Sequence, residues 1–150
     1  MAIPKTISHT VQQTQEWLRE VESNAGLANE TEALSALRAV LHQLRDRLSI
    51  EEAAQFSAQL PLLVRGIFYE GWQPARVPDK SIKTRQDFFD GVSMRLPSHR
   101  LPPELLVETV FAILSHHIDP GEIADIIGQL PDSLKVLWPL SARTFRERAR

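Results

Sequence analysis

The strongest candidate for metal chemistry in this sequence is the adjacent pair His116 and His117, with Asp119 two residues further on. Neighbours on a helix point about 100° apart and rarely share an ion. Zinc on a helix takes ligands at i and i+4, with a third from elsewhere. The simpler reading is an exposed helix end, where a partly charged imidazole meets the negative pole of the helix dipole. No metal is expected. Carboxylates pair as Glu51 with Glu52, Asp87 with Asp90, and Glu122 with Asp125. Hydrolytic acid–base work needs two carboxylates facing one cleft, one of them with a raised pKa. Glu52 and Glu122 have a plainer role as helix-capping residues, and the remaining acids sit at spacings common on solvated faces. No catalytic residue is assigned, and an enzyme is not the favoured reading.

Other chemistries fall away for lack of parts. The chain has no cysteine, which removes thiolate nucleophiles, cysteine zinc sites and redox pairs. It has no Gly-x-Ser-x-Gly elbow and no Ser-x-x-Lys pair. The glycine loops that cradle phosphates are missing too, so no cofactor is expected. The C-terminal arginines Arg143, Arg146, Arg148 and Arg150 are a weak candidate for nucleic acid or an acidic partner. Positive charge at a helix C-terminus explains them as well. The most unusual segment is Ile67 to Pro74, where Tyr69 and Trp72 flank Gly71. Half-exposed aromatics of this kind anchor interfaces. The competing reading folds them inward to seal two halves of the chain. Tyr69, Trp72 and His99 are the candidate ligand or interface residues.

The elements that position these residues read as helices throughout. Leu34, Leu37, Leu41, Leu44 and Leu48 are spaced three, four, three, four, which lays one apolar stripe along a helix. Val107, Val110, Leu114 and Ile118 repeat it. Helix starts are marked by Ser49 with Glu52, Asp119-Pro120 with Glu122, Asn29 with Glu32, and Thr84 with Asp87. No stretch alternates apolar and polar residues long enough for a half-buried strand. The spacing predicts helices near 7–23, 30–47, 50–58, 61–70, 84–95, 103–117, 120–128 and 131–138, with a basic one near 141–149.

The pattern is written twice. Glu52, Ala54, Gln59, Leu60 and Pro61 recur seventy positions on as Glu122, Ala124, Gln129, Leu130 and Pro131. The expected fold is all-α: a tandem duplication of a four-helix unit, with halves about 7–72 and 84–139. The halves pack as one pseudo-symmetric domain over 1–150, with a short basic segment 141–150. Two units of about seventy residues would each have a thin core, so a shared interior is expected.

The run from Leu44 to Leu48, then Glu51 to Ala54, Gln59-Leu60-Pro61, and Val64 to Trp72 resembles a bacterial family catalogued as domain of unknown function 2267. Gln129-Leu130-Pro131 followed by Leu137-Trp138-Pro139 is similar to that family's closing segment. The resemblance covers roughly residues 8 to 139. It implies an all-helical bacterial protein and brings no catalytic residue with it.

Composition agrees with a folded globule. The 150 residues are 43% hydrophobic and 24% charged, with a net charge of −2. That balance weighs against binding driven by phosphates. No run of about 18 apolar residues exists, so no membrane span is expected, and the N-terminus has no signal-peptide pattern. The expectation is a cytoplasmic, non-enzymatic helical module that binds another protein or itself. The alternative is a small-ligand binder or unrecognised enzyme with a pocket between the halves.

Overall fold

The computed structural model describes residues 2–98 and 100–148. Ten α-helices follow one another among the described residues: α1 (Lys5–Ala25), α2 (Glu30–Asp46), α3 (Ile50–Ser57), α4 (Leu62–Tyr69), α5 (Arg85–Arg95), α6 (Pro103–His117), α7 (Pro120–Gln129), α8 (Asp132–Lys135), α9 (Leu140–Arg143) and α10 (Phe145–Arg148). Among the described residues there is no strand. No helix among these residues is long and apolar enough to cross a membrane.

The leucine stripe makes α2 the central helix. Ala33, Ala36, Leu37, Val40, Leu41 and Leu44 are essentially inaccessible to solvent, and α2 packs on α1, α4, α5 and α6. Each buried leucine contributes on the order of 1.5–3 kcal/mol. The stripe of α6 is covered in the same way through Val107, Val110, Phe111 and Leu114. Buried side chains from α1–α4 and from α5–α8 join in one apolar cluster. Aromatic rings fill its second half: Trp138 stacks on Phe111 at 3.9 Å between ring centres, and Phe88 meets the same ring edge-on at 5.7 Å.

The helix ends carry the chemistry that the sequence marked. Asn29 and Thr84 accept the amides of Glu32 and Asp87, and Asp87 returns to the Thr84 amide to close a reciprocal cap. Gly26 ends α1 in the left-handed region at φ 65°, sending its amide back to the Glu22 carbonyl. The C-terminus of α4 is satisfied from the side. His42 donates Nε2–H to the Ile67 carbonyl at 2.7 Å, and buried Arg45 donates Nη1 to Phe68 and Glu70 carbonyls at 2.9 and 2.6 Å. The Ile67 oxygen also takes the Glu70 amide at 3.2 Å, whereas those of Phe68 and Glu70 lie beyond the last bonds of the helix.

Two expected segments differ. The helix expected over 131–138 stops at Lys135. Trp138 precedes Pro139, whose ring disfavours helical backbone one residue earlier. The basic helix expected near 141–149 is two four-residue pieces separated at Thr144, whose hydroxyl is taken by the Leu140 carbonyl at 2.9 Å.

The crossing of α2 and α5 depends on Gly91. A Cβ there would overlap the side-chain amide of Gln43. Gln43 is buried and accepts Nε–H of Arg95 at 3.2 Å, so it has little room to yield. Alanine normally gains about 0.5–1 kcal/mol over glycine inside a helix, whereas overpacking costs about 1–3 kcal/mol. Gly91→Ala is therefore expected to lower the unfolding free energy, read from urea denaturation. Adding Gln43→Ala relieves the overlap, so the double variant loses less than the sum of the two single losses.

Candidate functional site

The two short helices α3 and α7 pack against each other, and their N-termini exchange side chains. Ser49 caps α3 by accepting the Glu52 amide at 3.1 Å. Asp119 caps α7 by accepting the amides of Gly121 and Glu122 at 3.0 and 3.2 Å. The expected reciprocal boxes are not closed by Glu52 and Glu122. The free amide of Ser49 instead donates to Gln129 Oε1 at 3.2 Å, and that of Asp119 donates to Gln59 Oε1 at 2.8 Å. Each helix thus receives its last cap from the far end of the other.

Relieved of capping, Glu52 and Glu122 turn inward. Both are 8% exposed. One carboxylate oxygen from each of Glu52, Glu122 and half-buried Asp125 lies within 4.8 Å of the others. Gln129 Nε2 donates to Glu52 Oε2 at 3.2 Å, and Arg146 pairs with Asp125 Oδ1. Oε1 of Glu52 and Oε1 of Glu122 are buried with no hydrogen-bond partner. Burial, then the hydrogen bond to Glu52, then the charges of Glu52, Asp125 and Asp119 push the Glu122 carboxyl up to about 8. Its position in the first turn of α7 works the other way, since the dipole favours a carboxylate there. Burial and like charge prevail, so the protonated form of Glu122 is favoured. The arrangement can hold a proton between two acids, or oxygen ligands around a cation.

The residues singled out in the sequence lie elsewhere. Tyr69 and Trp72 are half-buried and belong to an aromatic chain with Phe68, at 5.1 and 5.2 Å between successive rings. The Tyr69 hydroxyl meets Ser57 Oγ at 2.6 Å. Both rings pack on the apolar cluster. Neither lines the cavity of about 310 Å³ beside Gly71, which Arg45, Asp46, Arg76, Asp79 and Arg95 surround. His99 and Arg150 lie outside the described residues. Of the other tail arginines, Arg143 donates to the Trp138 carbonyl at 3.0 Å and Arg148 to that of Ser141 at 2.8 Å. His116 and His117 sit at the exposed end of α6, where His117 stacks on Trp17 and meets Glu20 Oε2 at 2.6 Å.

A signal for the carboxylate pair was present in the sequence. Glu52 and Glu122 occupy the same position in matched segments, and so do Gln59 and Gln129. Capping accounted for each glutamate singly and hid the possibility that the two meet.

An all-helical chain with a carboxylate pair between two short helices is the class that fold and site define. Its sequence matches the family model described as "Uncharacterized conserved protein (DUF2267)" over residues 14–137, and the chain belongs to that family. No curated protein matches it.

The pair predicts a pH signature. The folded pKa of Glu122 is raised above its ordinary 4.5, so the folded state holds the proton more tightly, and stability falls as pH rises from about 4.5 through about 8. Buried His42 is shifted below 6.5, chiefly by desolvation, so it destabilises the fold only on the acid side of 6.5. Glu32, held down by Arg100, and Asp87, held down by the Lys83 and Thr84 amides, act lower still. Between about pH 6.5 and 8 the slope therefore belongs to Glu122 among these shifted groups. Urea midpoints should fall across that window in the native chain and stay level in Glu122→Gln.

Proposed function

We propose that this protein is a non-enzymatic helical module that associates with protein, first of all with a second copy of itself, through the open face of α1 and α4. The observation that carries this reading is an apolar stripe that outruns its cover. Trp17, Leu18 and Val21 of α1 are buried, whereas Ile3 just before the helix, Ile7 and Val11 continue the same face and are exposed. Exposed Leu62 and Leu63 of α4 adjoin them, for the Leu63 amide donates to Thr10 Oγ1 at 2.9 Å. Five large apolar side chains on neighbouring helices are more than the scattered exposure usual on a monomer surface. Tyr69 and Trp72 serve this module as packing residues rather than as its contact surface.

We further infer that the chain is a tandem duplicate of a four-helix unit with a pseudo-two-fold relation between halves. The exchange of Gln59 and Gln129 between caps seventy residues apart supports this, as does the matched succession of α1–α4 and α5–α8.

Light scattering on a sizing column tests the association. The native chain should run heavier than its 17.0 kDa in a concentration-dependent way. Ile7→Glu combined with Leu63→Glu should return it to the monomer mass with its helical circular dichroism intact. A native chain that stays monomeric to about 1 mM, where an association worth about 4 kcal/mol would be populated, overturns the self-association reading.

A further inference from the structure

We propose that Glu52, Glu122 and Asp125 form a binding site for one hard divalent cation of the Mg²⁺, Ca²⁺ or Mn²⁺ class. This goes beyond the expectation of no metal and is independent of the α1–α4 face. Oxygens bound to one such ion lie about 2.0–2.6 Å from it, and so up to about 5 Å from one another. The three carboxylate oxygens already meet that limit without any ion between them.

The second observation is the pair of orphaned oxygens. Glu52 Oε1 and Glu122 Oε1 are buried, on residues more than nine-tenths covered, and accept no hydrogen bond among the described residues. Buried polar atoms are ordinarily paired, and a buried carboxylate without donors is costly. Gln129 serves Oε2 of Glu52 and leaves Oε1 of both acids unmatched. A cation can take both.

Charge and ligand type narrow the ion. Three ionised carboxylates and the Arg146 guanidinium on Asp125 sum to −2, which one divalent cation neutralises. Arg146 engages only Oδ1 of Asp125, leaving Oδ2 for the ion. The donors are all carboxylate oxygens, with no thiolate or imidazole among them. That set favours hard cations over zinc or copper. Water would complete the coordination, as is usual for these ions.

Manganese alone serves as the probe. The electron spin resonance signal of free Mn²⁺ disappears on binding, which gives stoichiometry and affinity directly. The full chain should remove one Mn²⁺ per molecule and unfold at a higher temperature when the ion is present. Glu122→Gln keeps the shape but removes a charge, and should bind at least tenfold more weakly. If that variant does not fold, Asp125→Asn, at a half-buried position, should show a loss in the same direction. An undiminished free Mn²⁺ signal with no thermal shift in the native chain would overturn the proposal. Unaltered binding in a folded Glu122→Gln would do so too, by placing the ion elsewhere.

Discussion

Two glutamates are buried close together where α3 meets α7, and keeping both charged there is costly. Glu52 and Glu122 lie side by side under 8% exposure, with Asp125 at their edge. The contact that brings them together is made by their neighbours: Gln59 and Gln129 each complete the N-terminal cap of the opposite helix. Those bonds fix how far α3 and α7 slide past each other, and so fix the spacing of the carboxylates. Phe56 of α3 and Ile123, Ile126 and Ile127 of α7 are buried on the same two helices. Low local dielectric then turns a close approach into a strong preference for the neutral acid or a bound cation.

The same economy of polar partners recurs through the fold. α2 lends His42 and Arg45 to the open carbonyls at the end of α4, so a buried charged residue stays fully engaged. Asp46 holds Arg45 and Arg95 and, through its carbonyl, the amide of Asp79 at 2.7 Å, tying the connection between the halves back to α2. Short helices that would be marginal alone are stabilised by these lateral caps and by the apolar cluster beneath them.

Much of the architecture was legible because amphipathic spacing is a one-dimensional signal. The helices read from the stripes Leu34 to Leu48 and Val107 to Ile118, at 30–47 and 103–117, agree with α2 and α6 to within a residue. Prolines and cap residues marked the starts of α3 and α7. The candidate site was not legible, because it depends on which groups satisfy one another across the fold. Ser49-x-x-Glu52 reads locally as a closed box. Only the three-dimensional contact shows Gln129 taking the amide that Glu52 would have taken. Tyr69 and Trp72 read in the sequence either as interface anchors or as an inward seal between two halves; Ser57 and neighbouring rings engage them, and both are half-buried. The apolar overhang at Ile3 and Ile7 follows the same periodicity as buried α1 residues, so pattern alone could not separate covered from uncovered turns.

The central claim is that Glu52 and Glu122 face each other in a water-poor seam. A carbon-13 NMR titration of the glutamate side-chain carboxyls in metal-free protein addresses it residue by residue. The Glu122 carboxyl should change its chemical shift with a midpoint near 8. A midpoint near the ordinary 4.5 would contradict the account, for it would mean that the two acids are separated or hydrated and that nothing in the α3–α7 contact requires a proton or an ion.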